Sequence, residues 1–502
     1  MNATRIRYNI IANYVGAGWN ALMSLLFVPW YIKYIGIEAY GIIGFFVSVQ
    51  SVLYLLDLGL SSTFSREMAS LSSRTNSSQS MRDLTCTFAT IYWGIALVSG
   101  ILFATLAPVF TNHWLRPEHL SKATITYATV IMGLSMVIRL PGNIYLGGLT
   151  ALQRQIEINI LSVLMGTLRG LGAVAVLYFV SPTLIAFFCW QLFVNFLNMI
   201  SLRLLLRNRL SVGGQSSKFD LNLVRERWRF AVGMSGISIL SLMLTQLDKL
   251  LLSRIVSLKE FGYYAIASIF AGFISMIVGP ITSVFYPRFV SFVAKDDRVG
   301  LSHSFHDAAQ LISFLLVPIV ITVAYFAKDI LFLWTRNSEI AEHAYVVLIL
   351  VILGSMFHAF MHAPYYVQIA NGWTSFAFWY NLVSLIILIP LIFYLTKRYG
   401  IVGGASTWAI YNFSYPLIGA HIMFQKYLIG EKMKWYFWSI FIPLLLSLGA
   451  VILVNFLFKG EHTNFKIAIR FSSAVILGYL LLAGVMPVTR KLIKTKNWSF
   501  KW

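Results

Sequence analysis

Long apolar runs broken by short polar stretches organise this sequence. A helix rises 1.5 Å per residue, so about 20 mainly apolar residues cross the hydrocarbon core of a bilayer. Runs of that kind fall near residues 10–32, 40–63, 85–110, 123–148, 158–180 and 183–206. After a polar stretch over 207–228 they resume near 230–256, 261–287, 308–327, 345–370, 374–395 and 401–424. Two more, near 435–456 and 467–488, close the series. The pattern predicts an all-α polytopic membrane protein of about fourteen transmembrane helices.

The runs carry a weak duplication at a spacing of about 221 residues. Arg5-Ile6-Arg7-Tyr8 has its counterpart in Arg227-Trp228-Arg229-Phe230, and Glu38-Ala39-Tyr40-Gly41 in Lys259-Glu260-Phe261-Gly262. Lys33 matches Arg254, Arg66 matches Arg288 with a one-residue gap, and Tyr145 and Asn159 match Tyr366 and Asn381. Each copy holds six spans and starts from the same side, so the repeats are parallel. Parallel repeats related by an axis along the membrane normal suit a transporter that rocks about a site between its halves. The expected organisation is a six-helix lobe over 1–206, a basic cytoplasmic linker over 207–229 and a second six-helix lobe over 230–424. Two additional transmembrane helices over 435–488 and a basic tail over 489–502 follow.

Composition agrees with lipid as the main solvent. Of 502 residues 58% are hydrophobic and 11% charged, with a mean hydropathy of +0.75. A soluble chain carries about a quarter charged residues. The net charge of +21 points in a soluble protein to nucleic acid, but here lysine and arginine collect in alternate loops. Placing both termini in the cytoplasm puts roughly twice as many basic residues inside as outside, the orientation the positive-inside rule selects. The two cysteines, Cys86 and Cys189, lie in apolar runs, which argues against a disulfide framework or a thiolate metal site. Arg5 and Arg7 precede a first helix read as retained rather than as a cleaved signal. No loop exceeds about two dozen residues, so an extramembrane catalytic domain is not expected, and neither an enzyme activity nor a cofactor is assigned.

Several short motifs in order resemble one family. Asn13-Tyr14-Val15-Gly16 through Trp19, Val28-Pro29-Trp30-Tyr31, Tyr40-Gly41 and Leu56-Asp57-Leu58-Gly59-Leu60 look like the opening of the Wzx-type oligosaccharide flippases. These belong to the multidrug/oligosaccharidyl-lipid/polysaccharide exporter superfamily. Gly148-Leu149-Thr150-Ala151-Leu152-Gln153-Arg154, Leu247-Asp248-Lys249 and Phe261-Gly262-Tyr263-Tyr264 continue in the same register. The resemblance covers about the first 300 residues by motif and the rest mainly by hydropathy. It implies two six-helix bundles around a cationic cavity in a bacterial inner membrane. It also implies a polyprenyl pyrophosphate-linked oligosaccharide as cargo, moved from the cytoplasmic to the periplasmic leaflet for O-antigen, capsule or exopolysaccharide synthesis. A polysaccharide polymerase and a chain-length regulator are the implied partners. Many members have twelve spans, from which the count of fourteen departs.

A charge at mid-membrane costs about 2.5–3.5 kcal/mol on insertion scales, so each one within a span asks for a reason. Four basic residues qualify: Arg139, Arg169, Lys249 and Arg470. The first three are the candidate substrate-binding groups of a cationic path, since arginine's fork matches phosphate. Snorkelling or structural pairing is the competing explanation for each. Arg470 lies outside the repeat and is read as an interfacial anchor. Arg66 and Arg288, at cytoplasmic helix ends, are entrance candidates that positive-inside anchoring explains almost equally. Asp248 and Asp57 are the coupling candidates, with a structural role for Asp57 at least as well supported. His358 and His362 are four apart on one helix face, but the intervening residues lack the glutamate of zinc proteases, and no metal is expected. The many aromatic residues are expected in packing and interfacial belts.

Two other functions fit less well or equally. A cation-coupled multidrug exporter of the same superfamily needs cavity carboxylates, whereas the first span contains no Asp or Glu. A flippase for the peptidoglycan precursor shares the chemistry and is not separable by sequence. An outward-moving anion gains about 2.3 kcal/mol per charge per 100 mV in an interior-negative cell, so the membrane potential and ion antiport both remain available as driving forces.

Overall fold

The computed structural model describes residues 3–53, 57, 59–74, 77–210, 217–220, 228–458 and 464–494, and the side chains within them except those of 3–11, 228–238 and 491–494. The paired signatures at Arg5–Tyr8 and Arg227–Phe230, most of the linker beyond 210, and the tail beyond 490 lie outside these side chains. Among the described residues there are helices and no strands, as the hydrophobic pattern predicts. The chain packs as two compact units, Met1–Gly262 and Tyr263–Trp502.

The first unit holds α1 (Ala3–Leu26), α2 (Val28–Leu53), α3 (Leu60–Ser72), α4 (Ser78–Val109), α5 (Lys122–Ala151), α6 (Gln155–Phe179), α7 (Leu184–Arg209) and α8 (Trp228–Ile255). Helix α9 (Leu258–Ala294) begins at its end and continues into the second unit. There follow α10 (Arg298–Tyr325), α11 (Ala327–Thr335), α12 (Ser338–Phe360), α13 (His362–Ala370) and α14 (Thr374–Tyr415). The short α15 (His421–Lys426) and α16 (Lys432–Trp435) lead to α17 (Ile442–Leu457), α18 (Asn464–Val485) and α19 (Pro487–Lys494).

Local chemistry sets the turns. Ser121, Thr183 and Asn337 cap α5, α7 and α12 by accepting the N–H of Thr124, Ala186 and Ile340, each satisfying one orphan donor of a helix start. Helix α2 is broken at Gly36 (φ 82°) and α14 at Gly400 (φ 58°), a backbone region that only glycine enters readily. Both glycines fall between predicted spans.

Eleven helical stretches among the described residues are long and apolar enough to cross a membrane. One of them, Thr374–Lys426, contains the break at Gly400, while α1 and α8 are not among the eleven. Helix α1 carries polar residues such as Asn13 and Asn20 that face α6 rather than lipid. Over the second predicted span, 40–63, α2 is described to Leu53 and α3 starts after Gly59, whose φ is 73°; residues 54–56 and 58 lie outside the described residues.

Helices α1 and α6 run parallel, as a first and a fifth span should. Asn159 donates to Asn13 (2.6 Å), Asn20 to Ser162 (2.9 Å) and Trp19 to Thr167 (2.8 Å). Side-chain amides and hydroxyls with small residues between them are the usual adhesive where lipid removes the hydrophobic drive for helix association. Helix α5 packs on α4 and α7 around Phe88, Ile144 and Leu206. In the second unit α12 packs on α14, and α10 on α12, α17 and α18. Arg470, expected to anchor at an interface, is instead 4% exposed on α18.

Where α2 passes α9 the two backbones approach too closely for a side chain. A Cβ on Gly41 would collide with the Leu258 carbonyl oxygen, and one on Gly262 with that of Ile37. Nearby, Glu38 is buried and its carboxylate accepts the backbone N–H groups of Glu118, His119 and Leu120, at 2.6 Å for Glu118. Three converging amides supply the compensation that a buried anion needs.

Candidate functional site

Five helices of the first unit, α1, α2, α5, α6 and α7, enclose a cavity of about 310 Å³. Arg139 from α5 and Arg169 from α6 both line it, and among the described residues no aspartate or glutamate does. Two arginines thus contribute to the lining of one space, and its partly apolar walls lower the local dielectric and strengthen whatever charge they present.

Polar side chains from a neighbouring helix hold Arg169. It donates through Nη2 to Asn195 Oδ1 on α7 at 3.0 Å, and Asn195 Nδ2 donates to Ser135 Oγ on α5 at 2.6 Å. The second bond fixes which end of the amide faces the guanidinium. Gly166 and Gly170 leave room on α6, filled from α1 and its continuation by Asn20 and the ring of Phe27. Tyr31 donates to the Gly170 carbonyl at 3.2 Å. Gln50 and Gln191 add amides to the lining, and among the described residues Gln50 Nε2 is buried without a hydrogen-bond partner. A donor left over in a cationic cavity is chemistry for an acceptor-rich anion.

The other predicted residues lie elsewhere. Lys249 does not line this cavity; its ammonium donates to the Thr245 carbonyl one turn back at 3.1 Å. Asp248, beside it on α8, is 5% exposed. Arg66 is exposed on α3, and the Arg288 guanidinium lies over the Phe285 ring in the second unit at 5.5 Å. Asp57 accepts hydrogen bonds from the Ser61 and Tyr92 hydroxyls and so ties the approach to α3 onto α4. His358 and His362 meet edge to face, 5.3 Å between centroids, and no cluster of three or more potential metal ligands occurs among the described residues. Sequence reasoning misses Asn195 and Gln50, whose only linear signal is a polar residue inside an apolar run, and it notes Glu38 only as part of the repeated Glu38-Ala39-Tyr40-Gly41 motif.

A family model described as "Polysaccharide biosynthesis protein" matches residues 6–293, more than half of the chain. A Shigella flexneri protein named as a candidate O-antigen transporter is 20% identical over 240 residues, a match spanning 48% of this chain and 56% of that protein. Among solved structures, a lipid II flippase, MurJ, in an inward closed conformation superposes with a TM-score of 0.70 at 16% identity, covering 97% of this chain and 99% of the other. An inward-facing multidrug resistance transporter of the MATE family gives 0.58 at 13% identity, covering 81% and 96%. At these identities the structural likeness shows a shared transporter fold.

Proposed function

The chain belongs to the polysaccharide biosynthesis protein family, and from that premise we propose that it is a flippase carrying polyprenyl pyrophosphate-linked oligosaccharide repeats to the outer leaflet of the bacterial inner membrane. The observation that carries the proposal is that Arg139 and Arg169 both line one cavity to which, among the described residues, no aspartate or glutamate contributes. A pyrophosphate entering hydrocarbon unpaired costs tens of kcal/mol by Born reckoning. The two guanidinium forks and the Gln50 amide offer the phosphates hydrogen-bond donors in place of water. A cation exporter needs the opposite polarity.

In this reading the two halves of the repeat form lobes that alternate about the cargo, with both termini in the cytoplasm. Arg66 and Arg288 gather phosphate head groups at the inner face, and Asp248 is the first candidate for ion coupling. The cavity lies at the small end of ligand pockets, about 300–1,000 Å³. It therefore suits the pyrophosphate end of the cargo and leaves most of the saccharide to be held elsewhere.

Deleting the gene and running surface glycans on gels tests the proposal. The expected result is loss of O-antigen or capsule, normal growth, and lipid-linked repeats trapped on the inner leaflet. Lysis with intact surface glycans would instead identify the cargo as the peptidoglycan precursor. Purified protein in vesicles should move a lipid-linked saccharide under an imposed potential, an imposed pH gradient, or both, and separate experiments assign the drive.

A further inference from the structure

The second unit contains a continuous run of aromatic rings whose members are mainly tyrosine, histidine and tryptophan. It starts with Tyr286 on α9, whose ring centroid lies 5.2 Å from that of Tyr366 on α13. Tyr366 is 6.4 Å from His362, and His362 is 5.3 Å from His358 on α12. The run crosses to α14 at Trp408, 6.3 Å from His358, and continues to Tyr411 at 6.4 Å. Tyr415 and Tyr380 then stack at 4.6 Å, and Phe376 leads on to Trp373, with the Lys426 ammonium 4.1 Å from the centre of the Trp373 ring.

In the first unit ring contacts also include tyrosine and tryptophan, as in Tyr34–Tyr178 and Trp190–Phe193, but its longer linked runs are mostly phenylalanine, as in Tyr31–Phe187–Phe188–Phe46. Here nearly every ring carries a polar edge. Tyr286, Tyr366, His358, His362, Trp408 and Tyr380 are half-buried, while Tyr411 and Tyr415 are buried behind them. The rings meet in tilted, edge-to-face and stacked pairs, so the partly exposed members present edges as well as faces, and a lysine places a positive charge at one end of the run. Rings with an apolar body and a polar handle favour ligands that are apolar on one face and hydrogen-bonding round the rim. Pyranose sugars have that form, and successive ring intervals along the run are comparable with the length of a sugar unit.

We propose that this run is a binding track for the neutral sugars of an oligosaccharide, separate from the cationic cavity of the first unit. It rests on the reading of the chain as a carrier of lipid-linked saccharide and assigns the saccharide its own surface. Phosphate and sugar would then be held by different side chains: arginines for the one, stacked tyrosine, histidine and tryptophan for the other.

Saturation-transfer NMR on the full chain in nanodiscs, with maltotriose and chitotriose as probes, tests the track. Wild type should transfer saturation to pyranose ring protons. The paired substitution Tyr286→Leu with Tyr366→Leu should weaken transfer at least about threefold, some 0.7 kcal/mol. Tyr286→Phe with Tyr366→Phe should retain most of it, because the ring faces survive. Inorganic pyrophosphate binding, measured on the same samples, should be unchanged in all three proteins and shows that they are folded. Equal transfer in the leucine variant and wild type, or none in wild type, overturns the track. Sugar binding without movement of lipid-linked saccharide in vesicles would sink the flippase reading and leave the track standing.

Discussion

Replacing Asn195 with aspartate changes the charge of the cationic cavity while nearly conserving its volume. Asn195 Oδ1 already accepts from Arg169 Nη2 at 3.0 Å, so a carboxylate there meets the guanidinium without rearrangement. Two unit charges about 4 Å apart attract by roughly 4 kcal/mol at an effective dielectric near 20, enough to hold the pair closed against a competing anion. The bond from Asn195 to Ser135 can reverse, because a serine hydroxyl donates as readily as it accepts. The cavity's positive charge then falls by one, and an incoming anion must compete with a fixed carboxylate for Arg169. A hydrogen bond to a charged group contributes about 1.5–3 kcal/mol, which corresponds to pyrophosphate affinity falling roughly 10- to 150-fold. Arg169→Ala should fall in the same range. Arg169→Lys should lose less, since charge remains and only the two-pronged geometry goes. Isothermal titration of the purified protein with pyrophosphate, repeated across salt concentrations, measures this. If Asn195→Asp binds pyrophosphate within about twofold of wild type, some 0.4 kcal/mol, the two arginines do not form an anion site.

Other consequences can be checked by thermal unfolding. Glu38→Gln puts an NH₂ among three donating amides and leaves one of them unmatched. It should cost about 1–3 kcal/mol and lower the melting midpoint. Gly41→Val should cost at least about 1–3 kcal/mol by overpacking, because the obstacle is the Leu258 backbone, which has no rotamer with which to retreat; an unchanged midpoint would show that α2 and α9 can separate freely. At Glu431 burial pushes the carboxyl up, but hydrogen bonds from His306 and Ser302 and the charges of His306 and Lys434 outweigh it, leaving the pKa below the ordinary value. The ionised form is therefore favoured by folding. Its stabilisation is present above the usual carboxylate range and drains away as pH falls through the lower folded value. Glu431→Gln should lower the midpoint at neutral pH and flatten its decline on acidification.

The spans are readable because each is a run of apolar residues long enough to outweigh its neighbours. The turns at Gly36 and Gly400 are bracketed by that pattern to within a few residues. The start of α3 after Gly59 is not visible as a break in hydrophobicity, because it falls inside the apolar run read as the span 40–63 and only Asp57 and Gly59 interrupt that run. Arg139 and Arg169 stand out because a cation in an apolar run is costly wherever it points. That these two share a cavity, while Lys249 bonds to its own helix, depends on helix rotation, and no linear pattern encodes it. Asn195 and Glu38 are hidden for a related reason. Their partners lie 26 residues or more away in sequence, and a mid-helix amide or an acid between two apolar runs looks ordinary until the opposing groups are known. Arg470 defies the linear reading because proximity to a span's end says nothing about which side faces protein.

At the glycine crossing each helix blocks the other with backbone: the Leu258 carbonyl oxygen fills the place of a Gly41 Cβ, and that of Ile37 the place of a Gly262 Cβ. The two positions therefore form one constraint. A side chain at either forces the same separation, and no change of rotamer on the opposite helix can relieve it.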